Sequence, residues 1–157
     1  MYGSTWYDSV SDNQINCYGF ALNIDSILLP NGIGDHYSAS QILSNVIVDL
    51  TNRGIGYRVL DSYNSPISSN EYRIGMRAYW NEDASQPYHK FHFIKQSDNR
   101  FWVQKNGVSP STILCDGSYD PMDFIWVVYK NQYDIYVDVC YGPAVYFAIQ
   151  IGSYARG

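Results

Sequence analysis

The chain has 157 residues, a net charge of -5 and sixteen tyrosines, a length and aromatic content that fit one ordered, strand-rich domain over residues 1–157 rather than two domains or a disordered chain. Its ten lysines and arginines are scattered, so no basic stripe is offered to a phosphate backbone and nucleic acid is not an expected partner. No apolar run reaches the roughly 20 residues of a bilayer crossing, and the opening Met1-Tyr2-Gly3-Ser4-Thr5-Trp6 lacks the basic and apolar regions of a secretion signal, so no membrane role is expected and the compartment stays open.

In chain order, Cys17, Phe20, Ala21, Ile24 and Leu28 recur at three- and four-residue intervals. That spacing predicts a helix over residues 15–27, ended by Pro30-Asn31-Gly32. A second helix is expected over 39–52, with Ser38 and Gln41 placed as a capping box and Gly54 at its end. Its apolar stripe is Ile42, Leu43, Val46, Ile47 and Leu50. Short alternating segments separated by turn residues then mark an antiparallel sheet. Strands are expected over 57–60, 73–80, 90–96, 101–105, 124–130, 134–140 and 144–151, with Ser97-Asp98-Asn99-Arg100 as a hairpin turn and breaks at Asn131-Gln132 and Gly142-Pro143. The order describes an α+β domain, N-terminal helices packed on an antiparallel β-sheet.

Three cysteines, Cys17, Cys115 and Cys140, cannot all pair, and no Cys-x-x-Cys or close His partner makes a metal site. No metal or cofactor is expected. Cys17 follows a run of capping residues, Ser11-Asp12-Asn13-Gln14, and heads an apolar helix. There the first amides lower a thiol's pKa and offer donors to an oxyanion. A lone helical cysteine is more often a small core residue, so the chemistry needs an imidazole, and the imidazole needs a group to orient it. His89 and His92 stand three apart and therefore on opposite faces of a strand. His92, followed by Phe93 and Ile94, is the expected base, and His89 a surface residue near Gln86-Pro87. A hairpin turning at Asp98 and Asn99 brings Gln104 level with His92, where its carbonyl can accept from the ring.

The segment Asn16-Cys17-Tyr18-Gly19-Phe20-Ala21-Leu22, followed by His92-Phe93-Ile94-Lys95-Gln96-Ser97-Asp98-Asn99-Arg100-Phe101-Trp102-Val103-Gln104-Lys105-Asn106-Gly107, resembles the papain-like cysteine hydrolase superfamily in its compact bacterial form related to NlpC-type peptidases. In that superfamily a nucleophile helix precedes a sheet whose early strand carries His and whose next strand carries a third polar residue twelve positions on, which is His, Asn or Gln. Relatives more often show Ser-His-Lys-Pro-Gly where this chain has Val103-Gln104-Lys105-Asn106-Gly107. The resemblance implies a papain-like fold and amide-bond chemistry through a Cys17 acyl-enzyme. The outcomes are peptide or isopeptide hydrolysis, deamidation, or acyl transfer, with catalytic Cys17, His92 and Gln104 and a contribution from Asn16 at the oxyanion. It further implies a peptide or protein substrate, in a cell-wall or toxin-effector setting.

The alternative is a non-catalytic, aromatic-rich module for carbohydrate or protein surfaces, or a degenerate enzyme fold, with Cys17 inert. Tyr79, Trp80, Trp102 and Trp126 are the aromatics that would line its cleft, although strand aromatics are more often core. Asp116, Asp120 and Asp123 lack the spacing of a calcium loop and fit a polar turn. Oligomeric state and the scissile bond are left open.

Overall fold

A computed structural model describes residues 14–81, 89–106, 111–127, 129–130, 133, 136–137 and 139–152. Ser11-Asp12-Asn13, Gln86-Pro87 and Asn131-Gln132 lie outside the described residues.

Helix α1, Cys17–Leu22, is six residues long, shorter than the apolar spacing predicts. It stops because Asn23 takes the left-handed conformation (φ 59°), sending its amide back to the Gly19 and Phe20 carbonyls. The chain then folds onto the helix instead of extending it. The side chain of Asn16, the N-cap, accepts from the amides of Gly19 (3.0 Å) and Leu28 (3.1 Å) and donates to the Leu28 carbonyl (2.7 Å). Leu28 thus joins the core that its sequence position announces, but from a loop. Helix α2, Ala39–Asn52, has the expected bounds. Ser38 Oγ accepts from the Gln41 amide, while Gln41 Oε1 accepts from the Tyr37 amide, one residue before the usual partner in a capping box. Tyr18 Oη donates to Asp49 at 2.7 Å and ties the helices together.

The strands are β1 Tyr57–Leu60, β2 Glu71–Asn81, β3 Lys90–Gln96, β4 Trp102–Lys105, β5 Ser111–Cys115, β6 Tyr129–Lys130, β7 Tyr136–Val137, β8 Val139–Tyr141 and β9 Val145–Gln150. Among the described residues, seven form one antiparallel sheet in the order β1-β9-β2-β3-β4-β5, with β8 also on β2. β8 and β9 share one edge of β2 and part at Gly142-Pro143. β6 and β7 form a separate pair. Three strand expectations change. β5 was not anticipated. The expected 124–130 strand is a covering segment entered through a 3₁₀ turn, Pro121–Asp123, and keeps strand pairing only at its end. The expected 134–140 strand is divided between β7 and β8.

The pleat sorts side chains into two cores. Ile74, Met76, Ala78, Phe93, Phe147 and Ile149 face the helices and pack with Tyr18, Leu22, Ile42, Val46 and Leu50. Ile94, Trp102, Tyr146 and Ala148 face the other way and are covered by Trp126 with Leu60 and Cys115. The architecture is therefore mixed α+β with an antiparallel sheet and slight helical content.

Gly19 marks how tightly the loop closes on α1: a Cβ there would collide with the Ser26 carbonyl oxygen and stand 2.9 Å from that of Ile24. Both obstacles are backbone and cannot swing away. Gly19→Ala is expected to lower stability by about 3 kcal/mol, read as a drop in the urea midpoint. A midpoint equal to wild type would show the loop is not packed this way.

Candidate active site

β3 and β4 part at the point where α1 begins. The Ser97 amide donates to the Phe101 carbonyl, so alternate residues of β3, counting back from Ser97 through Lys95 to Phe93, turn their amides toward β4. The pairing runs through Gln96↔Trp102 and Lys95↔Val103 and ends at Ile94↔Gln104. The Phe93 amide, next in that series, is left for the Cys17 sulfur. Burial pushes the Cys17 thiol up to about 11, opposed by hydrogen bonds from the amides of Phe93, Tyr18 and Cys17 itself and by the charge of Lys105.

His92 immediately precedes the residue that supplies this amide. Its Nε2 lies 2.9 Å from Gln104 Oε1, and since a carboxamide oxygen can only accept, Nε2 carries the proton and Nδ1 keeps its lone pair. The register differs from the expected one. Gln104 stands opposite Ile94 rather than His92, because the turn holds three residues with Arg100 left-handed (φ 71°). Gln104 reaches His92 along the diagonal of the same face. Gln104 is buried, 6 % exposed. Burial pushes the His92 imidazole down to about 4, opposed by the Gln104 hydrogen bond. Trp126 closes over it, ring centres 6.4 Å apart, and both Cys17 and His92 are shut from water, at 5 % and 3 % exposure.

The remaining candidates are placed as follows. Asn16 is spent on Gly19 and Leu28, so it positions the helix end rather than aiming at an oxyanion. The first-turn amides left over by Asn16 are those of Cys17 and Tyr18, which face the Cys17 sulfur. His89 is half-buried rather than a surface residue: its ring stacks on Trp80 at 4.4 Å and its amide donates to His36. Trp102 and Trp126 are core rather than cleft. Asp116 and Asp120 cap turns at Ser118 and Met122. Among the described residues no group of three or more ligating side chains is placed to hold a metal, and no helix is long and apolar enough to cross a membrane. Sequence reasoning missed Arg77, the register partner of His92; its signal was a lone arginine inside the apolar run Ile74-Gly75-Met76-Arg77-Ala78. Comparisons with protein families, with curated proteins and with solved structures find no match.

A buried neutral imidazole has a signed consequence for stability. Between pH 6.5 and about 4 the unfolded chain binds a proton at this residue and the folded chain does not, so stability is lost as pH falls through that window, by up to about 3 kcal/mol. His92→Gln is expected to lose correspondingly less stability than wild type between pH 7 and pH 4 in urea unfolding. Parallel losses in the two proteins would contradict the neutral buried ring.

Proposed function

We propose that this chain is a papain-like cysteine hydrolase that cleaves an amide bond through a Cys17 acyl-enzyme. The observation that carries the proposal is the junction at β3, where the sulfur takes the Phe93 amide while the adjacent His92 is fixed through Nε2 by Gln104, leaving Nδ1 free to act as base. This is the nucleophile, base and orienting group of a catalytic triad. Their order and twelve-residue spacing are those of the resemblance described above.

With the thiol raised and the imidazole lowered, the pair rests neutral rather than as a standing ion pair. His92 Nδ1 takes the thiol proton as sulfur bonds to the carbonyl carbon, a general-base step rather than attack by a stored thiolate. The carbonyl electron pair moves to oxygen, within reach of the Cys17 and Tyr18 amides. Collapse breaks the C–N bond, and the imidazolium returns its proton to the leaving amine. Water, deprotonated by the same ring, releases the acyl group. Trp126 walls the ring from bulk water, which strengthens each of these interactions.

A second reading, a binding module on a degenerate hydrolase fold, is favoured by the burial of Cys17 and His92. Alkylation separates the two. With His92 as base, the reaction of Cys17 with iodoacetamide is expected to hold a plateau from about pH 5 to 9. In His92→Ala it climbs about tenfold per pH unit, as for a lone thiol. Gln104→Ala is expected to lower the plateau about tenfold, with Gln104→His restoring part of it. Peptide mapping reads Cys17 apart from Cys115 and Cys140. A wild-type profile as steep as that of the variant would remove the enzymatic reading.

A further inference from the structure

Arg77 stands opposite His92 in the β2–β3 register, on the sheet face that also carries Gln104. The residue is 8 % exposed. Its Nε donates to the Gly142 carbonyl at 2.9 Å, and the guanidinium carbon lies 4.4 Å from the ring centre of Tyr141 and 5.3 Å from that of Trp126. The two aromatic faces offset part of the charge but accept none of the in-plane N–H groups at the tip of the fork. The ion pairs among the described residues are Arg53–Asp49 and Arg58–Glu71, and Arg77 belongs to neither. Asp120 acts on it only at longer range, with Oδ1 accepting from the Met122 amide. On the same face, the Tyr146 hydroxyl is buried with no partner, opposite Gly75 and two residues along from Arg77 on β2.

A largely buried guanidinium whose fork tip is unspent, and is not among the fully enclosed unpartnered atoms, presents those N–H groups at an accessible edge where a ligand can replace water. A planar fork held between aromatic rings matches a carboxylate, which takes two parallel N–H bonds. We propose that Arg77 receives a carboxylate of the substrate, so that the hydrolase acts on peptide-like amides bearing an acidic group next to the scissile bond. This specificity rests on the Cys17–His92 chemistry above. The carboxylate belongs either to an acidic side chain or to a chain end.

Three alkylating probes test it: neutral bromoacetylglycinamide, bromoacetylglycine with its terminal carboxylate, and bromoacetyl-aspartic acid α-amide with its side-chain carboxylate. In each, the Cys17 sulfur bonds to the methylene carbon, bromide leaves and His92 takes the thiol proton. At least one charged probe is expected to label Cys17 about tenfold faster than the neutral one, and the faster of the two identifies the carboxylate's source. Arg77→Gln removes the advantage of the charged probe over the neutral one measured in the same protein, and Arg77→Lys keeps part of it. Should Arg77→Gln fail to fold, protection of the wild-type thiol by N-acetylglycine or N-acetylaspartic acid α-amide but not by N-acetylglycinamide decides the same point. Equal rates for all three probes, or an advantage unchanged in Arg77→Gln, overturn the proposal. Labelling by the neutral probe that does not depend on His92 overturns the hydrolase reading instead.

Discussion

The site depends on two buried lysines of the β3–β4 hairpin that grip the two ends of helix α1. Lys105 Nζ donates to the Ile15 carbonyl and Lys95 Nζ to Asn23 Oδ1, each at 2.6 Å. Lys95 also lies over the Phe20 ring at 4.0 Å. A helix of six residues has no stability of its own in water, so its place is set by these grips together with Tyr72 Oη on the Ala21 carbonyl and Tyr18 Oη on Asp49. Without them neither the height of Cys17 in the sheet nor the gap at Phe93 would be fixed. The hairpin that carries His92 is thus the same element that positions Cys17.

The gap also bears on a geometric difficulty of the proposed function. Phe93 points to the helix side and stacks on Tyr18 at 4.5 Å, so His92, its neighbour in the strand, points to the opposite side. A helix lying flat on one face would leave its thiol across the sheet from that imidazole. Because pairing with β4 stops at Ile94↔Gln104, the helix start reaches the level of the strands, and the sulfur meets a backbone amide that a continued ladder would have consumed. On the proposed function, the interrupted ladder is the feature through which a one-sided helix would address a residue on the other face.

What the sequence disclosed and what it concealed divide along physical lines. Helix α2 and strands β1 and β3 were legible to the residue because period and punctuation agree there. So was the pairing of His92 with Gln104. The length of α1 was not, since Ile24 and Leu28 keep helical spacing while the backbone leaves the helix at Asn23. The hairpin register was hidden by Arg100, a residue type with no special preference for the left-handed conformation that makes the turn three residues long. The segment Phe124-Ile125-Trp126-Val127 reads as a buried strand, yet Ile125 is 72 % exposed and Trp126 1 %. A continuous apolar run carries no signal of which residues face inward.

Charge was the quantity most misleading in bulk. A chain with net charge -5 offers no basic surface, yet Arg77, Lys95 and Lys105 are 8 %, 1 % and 0 % exposed, all on the three strands around the candidate site. The surface is therefore more acidic than the net figure and the interior of the site more basic. A count over the sequence weights every charge equally, whereas its influence grows as water is excluded from around it. The same exclusion lowers the His92 imidazole and, through desolvation, the Lys95 ammonium. The guanidinium of Arg77 keeps its charge under burial that would neutralise a lysine or histidine. A fixed positive charge on β2 beside a neutral imidazole on β3 is the arrangement in which an incoming anion, rather than a shifted proton, completes the electrostatics.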